Sequence, residues 1–363
     1  MVKAGEFIEI SDYLPTITGV DELVGDFAVV EAGEFIEISD YRPTITSVNE
    51  LVGDTGVEAS EVIEISYYRP TITSVDELVG DTGVEVGEFI EISGYRPTIT
   101  SVDELVGDFA VVEAGEVIEI SGYIPTITSV NEFLGDFAVV EAGEFIETSS
   151  YPFTITSVDE LVGDTGVEAS EVIEISDYRP TITGVDELVG DTGVEVGEFI
   201  EIFGYLPTIT SVDELVGNFA VVEAGEFIEI SDYRPTITSV DELVGDFAVV
   251  EAGEVIETSS YPFTITSVDE LVGNTGVEAG EFIEISDYRP TITGVDELVG
   301  DTGVEASEVI DISDYHPTIT GVDELVGNFA VVEAGEFIEI SGYLPTITSV
   351  NEFLGDFAVV EAG

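Results

Sequence analysis

The stretch Glu6–Gly33, EFIEISDYLPTITGVDELVGDFAVVEAG, decides the fold, because the rest of the chain repeats it. From Glu6 to Gly363 the sequence divides into 13 repeats of two kinds. Seven long repeats have the length of Glu6–Gly33 and end in FAVVEAG, whereas six short repeats, such as Glu34–Ser60, lack one position and end in forms such as TGVEAS. No single repeat is large enough to enclose a core of its own. Neighbouring repeats must therefore bury one another's apolar residues, which is typical of a solenoid.

A second period lies above the first. One long repeat is followed three times by a block of two short and two long repeats, and the first such block is Glu34–Gly143. Tyr41, Tyr151 and Tyr261 are spaced by the length of one block and begin closely similar blocks. The sequence therefore predicts a single continuous array over residues 1–363, with no linker, that arose by duplication of a four-repeat block.

Each repeat contains three segments with the composition of β-strands. Phe7–Ser11 alternates in polarity from its second residue, Thr16–Thr18 follows a proline that favours extended backbone, and Phe27–Glu31 is the third. Between the second and third lies Val20–Asp26, where Asp21 is a suitable helix N-cap and a glycine follows in the position that ends a helical turn. The pattern predicts three strands and a single helical turn in each repeat.

The predicted fold is all-β, a parallel β-solenoid of 13 tandem coils with one repeat in each coil. Parallel stacking places every residue on its own copy in the next coil, which explains how near-identical repeats pack together. The residues expected to fill the interior are the apolar inward positions Ile8, Ile10, Ile17 and Leu23 and their equivalents. An extended antiparallel β-meander, with FAVVEAGEFIEIS as one long strand, is the alternative.

The composition excludes several classes of function. The chain has 78 Asp and Glu against 7 Lys and Arg, for a net charge of -71, so nucleic acids and anionic membrane surfaces are not expected partners. It has no Cys and one His, which leaves no material for zinc sites, thiol nucleophiles or repeated Ser-His triads. Since 44% of the residues are hydrophobic, the chain is nevertheless expected to fold. No apolar run is long enough for membrane insertion, and the N-terminus has no signal-peptide pattern.

The acidic positions predict either a cation site or a solvated face. The carboxylates proposed as metal ligands are Asp21, Glu22 and Asp26, with equivalents such as Asp76, Glu77 and Asp81. Calcium is the ion that several carboxylate oxygens suit, although the spacing is not that of an EF-hand loop. Like carboxylates stacked every ~4.8 Å repel by up to ~0.9 kcal/mol per neighbouring pair even in water. We therefore expect calcium or other counter-cations, high salt or partial protonation to screen the stack, and no cofactor to be required.

Threonine and tyrosine form a predicted surface ladder. Its members are Thr16, Thr18, Thr44, Thr46, Thr71, Thr73, Tyr13, Tyr41 and Tyr68. The tyrosines are expected at a corner of the coil with their hydroxyls in water, and the Thr-Ile-Thr segment gives two threonine files on a flat face. This segment resembles the T-x-T array of insect hyperactive antifreeze proteins, and the resemblance implies ice binding. Ordinary β-solenoid surface chemistry is the competing interpretation.

One further slot, the residue before proline, holds Arg in six repeats and also accepts His316, Leu14 and Ile124. A position with this tolerance is a side chain lying over a surface and not a catalytic group. An active site also needs one distinct cleft that separates two pKa values, which near-identical coils do not provide. We therefore expect the protein not to be an enzyme.

The predicted function is structural: a stiff acidic rod or filament, as a fibre, stalk or sheath component, extracellular or at the cell surface. Its expected partner is a second copy of itself, end to end or laterally. Met1–Gly5 is a variant of the repeat tail and Val359–Gly363 ends at a repeat boundary, so the array is in phase at both ends. A cation-binding or ice-binding solenoid is the alternative function.

Overall fold

The structure is a computed structural model that describes residues 2–3 and 7–362, with only the backbone described at Val2–Lys3. The chain falls into two compact units, Met1–Val189 (unit 1) and Gly190–Gly363 (unit 2). Each described repeat contributes one strand to each of three sheets. The VEA segment lies in sheet A, the FIEI segment in sheet B and the TITSVDELV segment in sheet C.

Unit 1 holds β1–β21. Sheet A contains β1 (Val2–Lys3), β4 (Val30–Ala32), β7 (Thr55–Ala59), β10 (Thr82–Val86), β13 (Phe109–Ala114), β16 (Val139–Ala142) and β19 (Thr165–Ala169). Sheet B contains β2 (Phe7–Tyr13), β5 (Phe35–Tyr41), β8 (Val62–Ile65), β11 (Phe89–Ile92), β14 (Val117–Ile120), β17 (Phe145–Thr148) and β20 (Val172–Ile175). Sheet C contains β3 (Thr16–Val24), β6 (Thr44–Val52), β9 (Thr71–Val79), β12 (Thr98–Val106), β15 (Thr126–Leu134), β18 (Thr154–Val162) and β21 (Thr181–Val189).

Unit 2 holds β22–β40. Sheet A contains β22 (Thr192–Val196), β25 (Phe219–Ala224), β28 (Val249–Ala252), β31 (Thr275–Ala279), β34 (Thr302–Ala306), β37 (Phe329–Ala334) and β40 (Val360–Ala362). Sheet B contains β23 (Phe199–Ile202), β26 (Phe227–Ile230), β29 (Val255–Thr258), β32 (Phe282–Ile285), β35 (Val309–Ile312) and β38 (Phe337–Ile340). Sheet C contains β24 (Thr208–Val216), β27 (Thr236–Val244), β30 (Thr264–Val272), β33 (Thr291–Val299), β36 (Thr318–Val326) and β39 (Thr346–Leu354).

The strand pairing confirms the predicted parallel β-solenoid and shows that the antiparallel meander is wrong. In sheet C, Ile99 pairs with Ile72 on one side and with Ile127 on the other, all in parallel strands. The same register of like on like holds in sheet B, where Ile90 pairs with Ile63. Because successive side chains alternate between the two faces of a strand, this register keeps the isoleucines stacked inside every coil.

The predicted interior is confirmed. Ile36, Ile38, Ile45 and Leu51, the equivalents in the second repeat of the four named interior positions, are each at most 1% exposed. The outward residues between them are charged or hydroxylated. Each unit is therefore held together by apolar files that run from coil to coil, together with the backbone hydrogen bonds of three sheets.

The predicted helical turn at Val20–Asp26 is wrong, because Val20–Val24 continues the strand that begins at Thr16. The buried residues of β9 are Ile72, Val75 and Leu78, and their spacing of three resembles that of a helix. The strand achieves this spacing by bending at Ser74, which has a left-handed φ of 56°. No helix long and apolar enough to cross a membrane occurs among residues 2–3 and 7–362.

The extra residue of the long repeats is absorbed in sheet A. In β13 the residue Ala110 has a φ of 63°, which forms a local bulge, whereas the short repeats have a Thr-Gly pair there. The register between β10 and β13 shifts at Thr82/Gly83, and beyond this point equivalent residues pair again. The change in repeat length is thus confined to one corner of the coil.

In each of two coils, a smaller core residue at one position is accompanied by a larger core residue at a nearby position. Thr148 takes the place of an inward isoleucine and is 1% exposed, and Phe153 takes the place of proline and is fully buried. The Phe153 ring meets the Phe137 ring edge to face, with centroids 5.6 Å apart. The smaller residue at one slot therefore accompanies a larger residue at the other. The pair Thr258 and Phe263 repeats this arrangement in unit 2.

Candidate functional site

The threonines of the predicted ladder lie on the outer face of sheet C. Thr16 and Thr18 are exposed, and Thr44, Thr46, Thr71 and Thr73 are half-buried. Thr71 pairs with Thr98 and Thr73 with Thr100 in register. These residues therefore form two parallel files on one face, as the sequence predicted.

The tyrosines of that ladder lie elsewhere, and their prediction as surface residues is wrong. Tyr41 and Tyr68 are fully buried, while Tyr13 in the first coil is half-buried. Their rings stack along the coil axis, with 4.8 Å between the centroids of Tyr41 and Tyr68. The hydroxyl does not reach water, because that of Tyr68 donates to the carbonyl oxygen of Gly83 at 3.0 Å. Burial raises the pKa of Tyr68 well above its ordinary value.

The carboxylates predicted as metal ligands are not brought together. Asp21, Glu22 and Asp26 are exposed, as are their equivalents Asp76, Glu77 and Asp81. Over residues 2–3 and 7–362, no group of three or more Asp, Glu or His side chains is placed to hold a metal ion. Cation binding by these residues stays a prediction, and the position of Asp26 and Asp81 also has a structural role.

The position of Asp26 and Asp81 in the repeat forms a hydrogen-bonded ladder at the corner between sheets C and A. In all 13 repeats an Asp or Asn follows a glycine. From Asp54 to Asp136 and from Asp191 to Asn328, its side-chain oxygen accepts a hydrogen bond from the backbone N–H of the equivalent residue in the next coil. The N–H of Asp108 donates to Oδ1 of Asp81 at 3.0 Å, and that of Asp136 donates to Oδ1 of Asp108 at 2.9 Å. We call this column the Asx ladder. It satisfies backbone donors at a corner where the sheet hydrogen bonds are interrupted.

The glycine before each Asx residue is required by geometry. Gly107 has a φ of 130°, in a region that residues with a Cβ rarely adopt. A Cβ at Gly107 would lie 2.7 Å from the carbonyl oxygen of Gly80 in the preceding coil. The close approach of these two backbones is what brings successive Asx residues within hydrogen-bonding distance.

A second carboxylate column runs beside the Asx ladder, on the outer face of sheet A. Glu85, Glu113 and Glu141 occupy it in successive coils. The pKa of Glu113 is raised by partial desolvation and by the negative charges of Glu85 and of the neighbouring Asx ladder. The corner is therefore an acidic strip in which the neighbouring charges disfavour the ionisation of Glu113.

Each unit has a groove between the two carboxylate columns where two short repeats are adjacent, because Gly replaces a larger outward residue there. The groove of unit 2 has a volume of about 310 Å³ and that of unit 1 about 150 Å³. Val111, in the long repeat that follows the two short ones, closes one end of the unit 1 groove. Both grooves are lined only by Asp, Asn, Glu, Thr, Gly and Val. They offer negative charge and backbone polar groups to a ligand, without a nucleophile paired with a base.

Sequence reasoning missed the partner of the arginine slot. Arg179 pairs with Asp177 at 2.7 Å, and Arg234 pairs with Asp232 at 2.7 Å, across the buried tyrosine between them. In the repeat where Tyr67 takes the place of this aspartate, the guanidinium carbon of Arg69 lies over the Tyr67 ring, 4.2 Å from its centroid. A signal was present, because the residue two positions before arginine is Asp in four of its six repeats, whereas Gly122, Gly204 and Gly342 stand two positions before Ile124, Leu206 and Leu344. The pairs are exposed and so contribute little to stability.

No family model, no curated protein and no solved structure matches the chain. The functional conclusion therefore rests on the geometry of the coils alone.

Proposed function

We propose that the protein is a non-enzymatic structural element that acts through its repeated coils and assembles with further copies of itself. One observation carries this proposal: in each unit the strands pair like on like, so one face of a coil is the complement of the opposite face of any other coil. Ile319 between Ile292 and Ile347 is an example. A coil face left uncovered presents unpaired backbone groups and an apolar cross-section that another coil would satisfy.

The chemistry of the two grooves supports a structural role over an enzymatic one. The two grooves occur at equivalent positions of the repeat and share a lining of Asp, Glu, Thr, Gly and Val, to which the unit 2 groove adds Asn. General acid and base catalysis needs two titratable groups with different environments, and a groove repeated in register gives its carboxylates similar ones. We propose further that it acts outside the cell or at the cell surface, as a fibre, stalk or sheath component. Counter-cations would accompany its charge without a dedicated site.

The proposal is tested by blocking coil-on-coil contact in the last complete coil. Ile347→Asp changes an inward residue that is still partly exposed in the single chain but would be buried in an assembly. Thr348→Asp is the matched control, since it adds the same charge on the outer face of the same strand. Light scattering and negative-stain electron microscopy across a salt titration measure the outcome.

We expect wild type and Thr348→Asp to form end-to-end filaments once salt screens the charge, and Ile347→Asp to remain at the monomer mass of 38.7 kDa. Far-UV circular dichroism checks that both variants keep the β-fold. A wild-type protein that stays monomeric at every salt concentration would contradict self-assembly. Filaments of Ile347→Asp equal to those of wild type would contradict the coil face as the contact.

Ice binding is a second candidate, favoured by the in-register threonine files of sheet C. Thr98, Thr126 and Thr154 stack directly on one another, as do Thr100, Thr128 and Thr156. The next outward residues on these strands are acidic, which opposes a wholly ordered water layer at this face. Thermal hysteresis of the freezing point that disappears in Thr100→Leu/Thr128→Leu would support ice binding, and its absence in wild type would exclude it.

A further inference from the structure

The Asx ladder has a different composition in the two units. In unit 1 the ladder is aspartate throughout, at Asp26, Asp54, Asp81, Asp108, Asp136 and Asp164. In unit 2 aspartate and asparagine alternate without exception, at Asp191, Asn218, Asp246, Asn274, Asp301, Asn328 and Asp356. Since a neutral amide separates every two carboxylates in unit 2, no two ladder charges are neighbours there.

The hydrogen-bond lengths differ in the way that repulsion between neighbours requires. In unit 2 the backbone N–H groups of Asn218, Asn274 and Asn328 reach a carboxylate oxygen at 2.7 Å. The N–H groups that donate to an asparagine oxygen in unit 2 do so at 3.0 to 3.1 Å. This is the expected order, because bonds to an ionised acceptor are shorter than neutral ones.

In unit 1 this shortening is lost. Its ladder bonds also go to carboxylates, yet they measure 3.1 Å from Asp81 to Asp54, 3.0 Å from Asp108 to Asp81 and 2.9 Å from Asp136 to Asp108. Each donor there belongs to a residue that carries its own negative charge, which repels the acceptor. The ladder bonds to carboxylates are therefore longer in unit 1, at 2.9 to 3.1 Å, than in unit 2, at 2.7 Å.

Charges around the ladder add to this repulsion and none offsets it. Along the ladder Asp108 faces Asp81 and Asp136, and from sheet A it faces the glutamate column at Glu85, Glu113 and Glu141. From sheet C the strand that leads into the corner carries exposed Asp103 and Glu104. No Lys, Arg or His occurs in residues 71–86, 98–114 or 126–142, which form this corner in three successive coils.

We propose that the continuous aspartate ladder of unit 1 is a charge-responsive element, which loosens its coils when the carboxylates are ionised and unscreened and tightens them on protonation or cation screening. The alternating ladder of unit 2 is a charge-relieved version that responds little. The coils of one chain thus differ in their sensitivity to pH and salt although their folds are the same.

The sign of the pH response follows from Asp108. Partial burial and the charges of Asp136 and Asp81 raise its pKa above the ordinary value of 3.8, against the opposing effect of the Asp136 N–H. A carboxyl group with a raised pKa binds more protons in the folded than in the unfolded state. Asp108 therefore contributes stability to the folded state that is present at low pH and is lost as pH rises through its raised pKa.

Amide hydrogen exchange on the full-length protein tests the proposal, because it reads individual coils. Protection factors, which remove the intrinsic pH dependence of exchange, are compared at pH 7 in low and high salt and at pH 4.5. For the ladder amides of Asp81, Asp108 and Asp136 we expect protection to rise several-fold with salt or acid, because screening or protonation removes the repulsion between neighbouring carboxylates. For the ladder amides of unit 2 we expect less than about a twofold rise.

Matched variants separate the ladder from net charge. Asp81→Asn/Asp136→Asn gives unit 1 the alternating pattern of unit 2 and should remove its salt response. Glu64→Gln/Glu91→Gln removes the same amount of charge on the outer face of sheet B, which does not form this corner, and should leave the response in place. Asn218→Asp/Asn274→Asp/Asn328→Asp should give unit 2 the response of unit 1.

Two results would overturn the proposal. One is an equal response of both units in the wild-type protein. The other is an equal effect of the on-ladder and off-ladder double variants, which would assign the response to total charge. A variant that fails to fold is recognised by its far-UV spectrum, and the comparison between the two units of the wild-type chain still decides.

Discussion

Replacing one buried threonine by valine should stabilise the protein. Thr148 is buried in sheet B between Ile120 and Ile175, and its hydroxyl has no hydrogen-bond partner. Thr148→Val keeps the shape of the side chain and exchanges that hydroxyl for a methyl group. The variant removes a desolvated polar atom and adds apolar burial at a site that already excludes water.

The expected gain follows from two contributions. A buried polar group without a partner costs about 1–3 kcal/mol, and a buried methyl group contributes about 0.8 kcal/mol. We expect Thr148→Val to be more stable than wild type by about 2 kcal/mol. Isoleucine, the usual residue at this slot, should gain less, because it adds a further carbon to a coil whose interior already holds the larger Phe153.

The matched control is the same substitution at a threonine whose hydroxyl is bonded. Thr275 is also buried, and its Oγ1 lies 2.9 Å from Oγ1 of Thr302. Thr275→Val deprives Thr302 of its partner and should destabilise the protein by about 1 kcal/mol.

Urea unfolding followed by circular dichroism gives the midpoint for each variant. Hydrogen exchange near the substituted coil supplements it, because repeat arrays need not unfold in one step. A midpoint for Thr148→Val at or below that of wild type would refute the assignment of an unpartnered hydroxyl.

Three further outcomes are expected. Gly107→Ala should destabilise the protein by about 3 kcal/mol from backbone strain and the clash with the preceding coil, whereas Gly122→Ala, whose added Cβ meets nothing within 4 Å, should be nearly neutral in thermal unfolding. Ile99→Asp should unfold its coil because it buries an unpaired charge, and outward Thr100→Asp should keep a native far-UV spectrum. Burial raises the pKa of the tyrosine column, to about 12 at Tyr343, so the unfolded chain releases protons first and stability should fall as pH rises above about 10. Tyrosinate absorbance that develops in step with loss of the β-fold would bear this out, and ionisation of the whole column in the folded state would contradict it.

The architecture could be predicted from the sequence because it depends on the alternation of polar and apolar residues, which recurs in all 13 repeats. Ile8 and Ile10 mark one inward face, and the parallel register follows from near-identity of the coils. The corners could not be predicted in the same way. The spacing of Ile72, Val75 and Leu78 fits a helical turn as well as a bent strand, and only the left-handed Ser74 distinguishes the two.

The candidate site was predicted less well than the fold. Tyrosine was expected to reach water because its hydroxyl needs a hydrogen-bond partner. The hydroxyl of Tyr41 instead donates to the carbonyl oxygen of Ala28, which a bulge turns inward. Residue propensities do not reveal such a bulge. The Asx ladder did leave a signal. The slot after the glycine accepts only Asp or Asn, the two residues whose side-chain oxygen reaches a backbone N–H close by. The restriction to Asp or Asn at this position is not visible when the carboxylates of a repeat are considered only by their total charge.

The bulge in sheet A has a consequence for how the repeats are ordered. A register shift occurs where a short repeat is followed by a long one, at Thr82/Gly83, Thr192/Gly193 and Thr302/Gly303. If short and long repeats alternated singly, such a misfit would recur at every second step along the chain. Pairing them two by two halves its frequency while both kinds of repeat are kept in nearly equal number. A gene that gains or loses whole blocks of four repeats keeps this order of short and long repeats, whereas the gain or loss of one repeat would disrupt it.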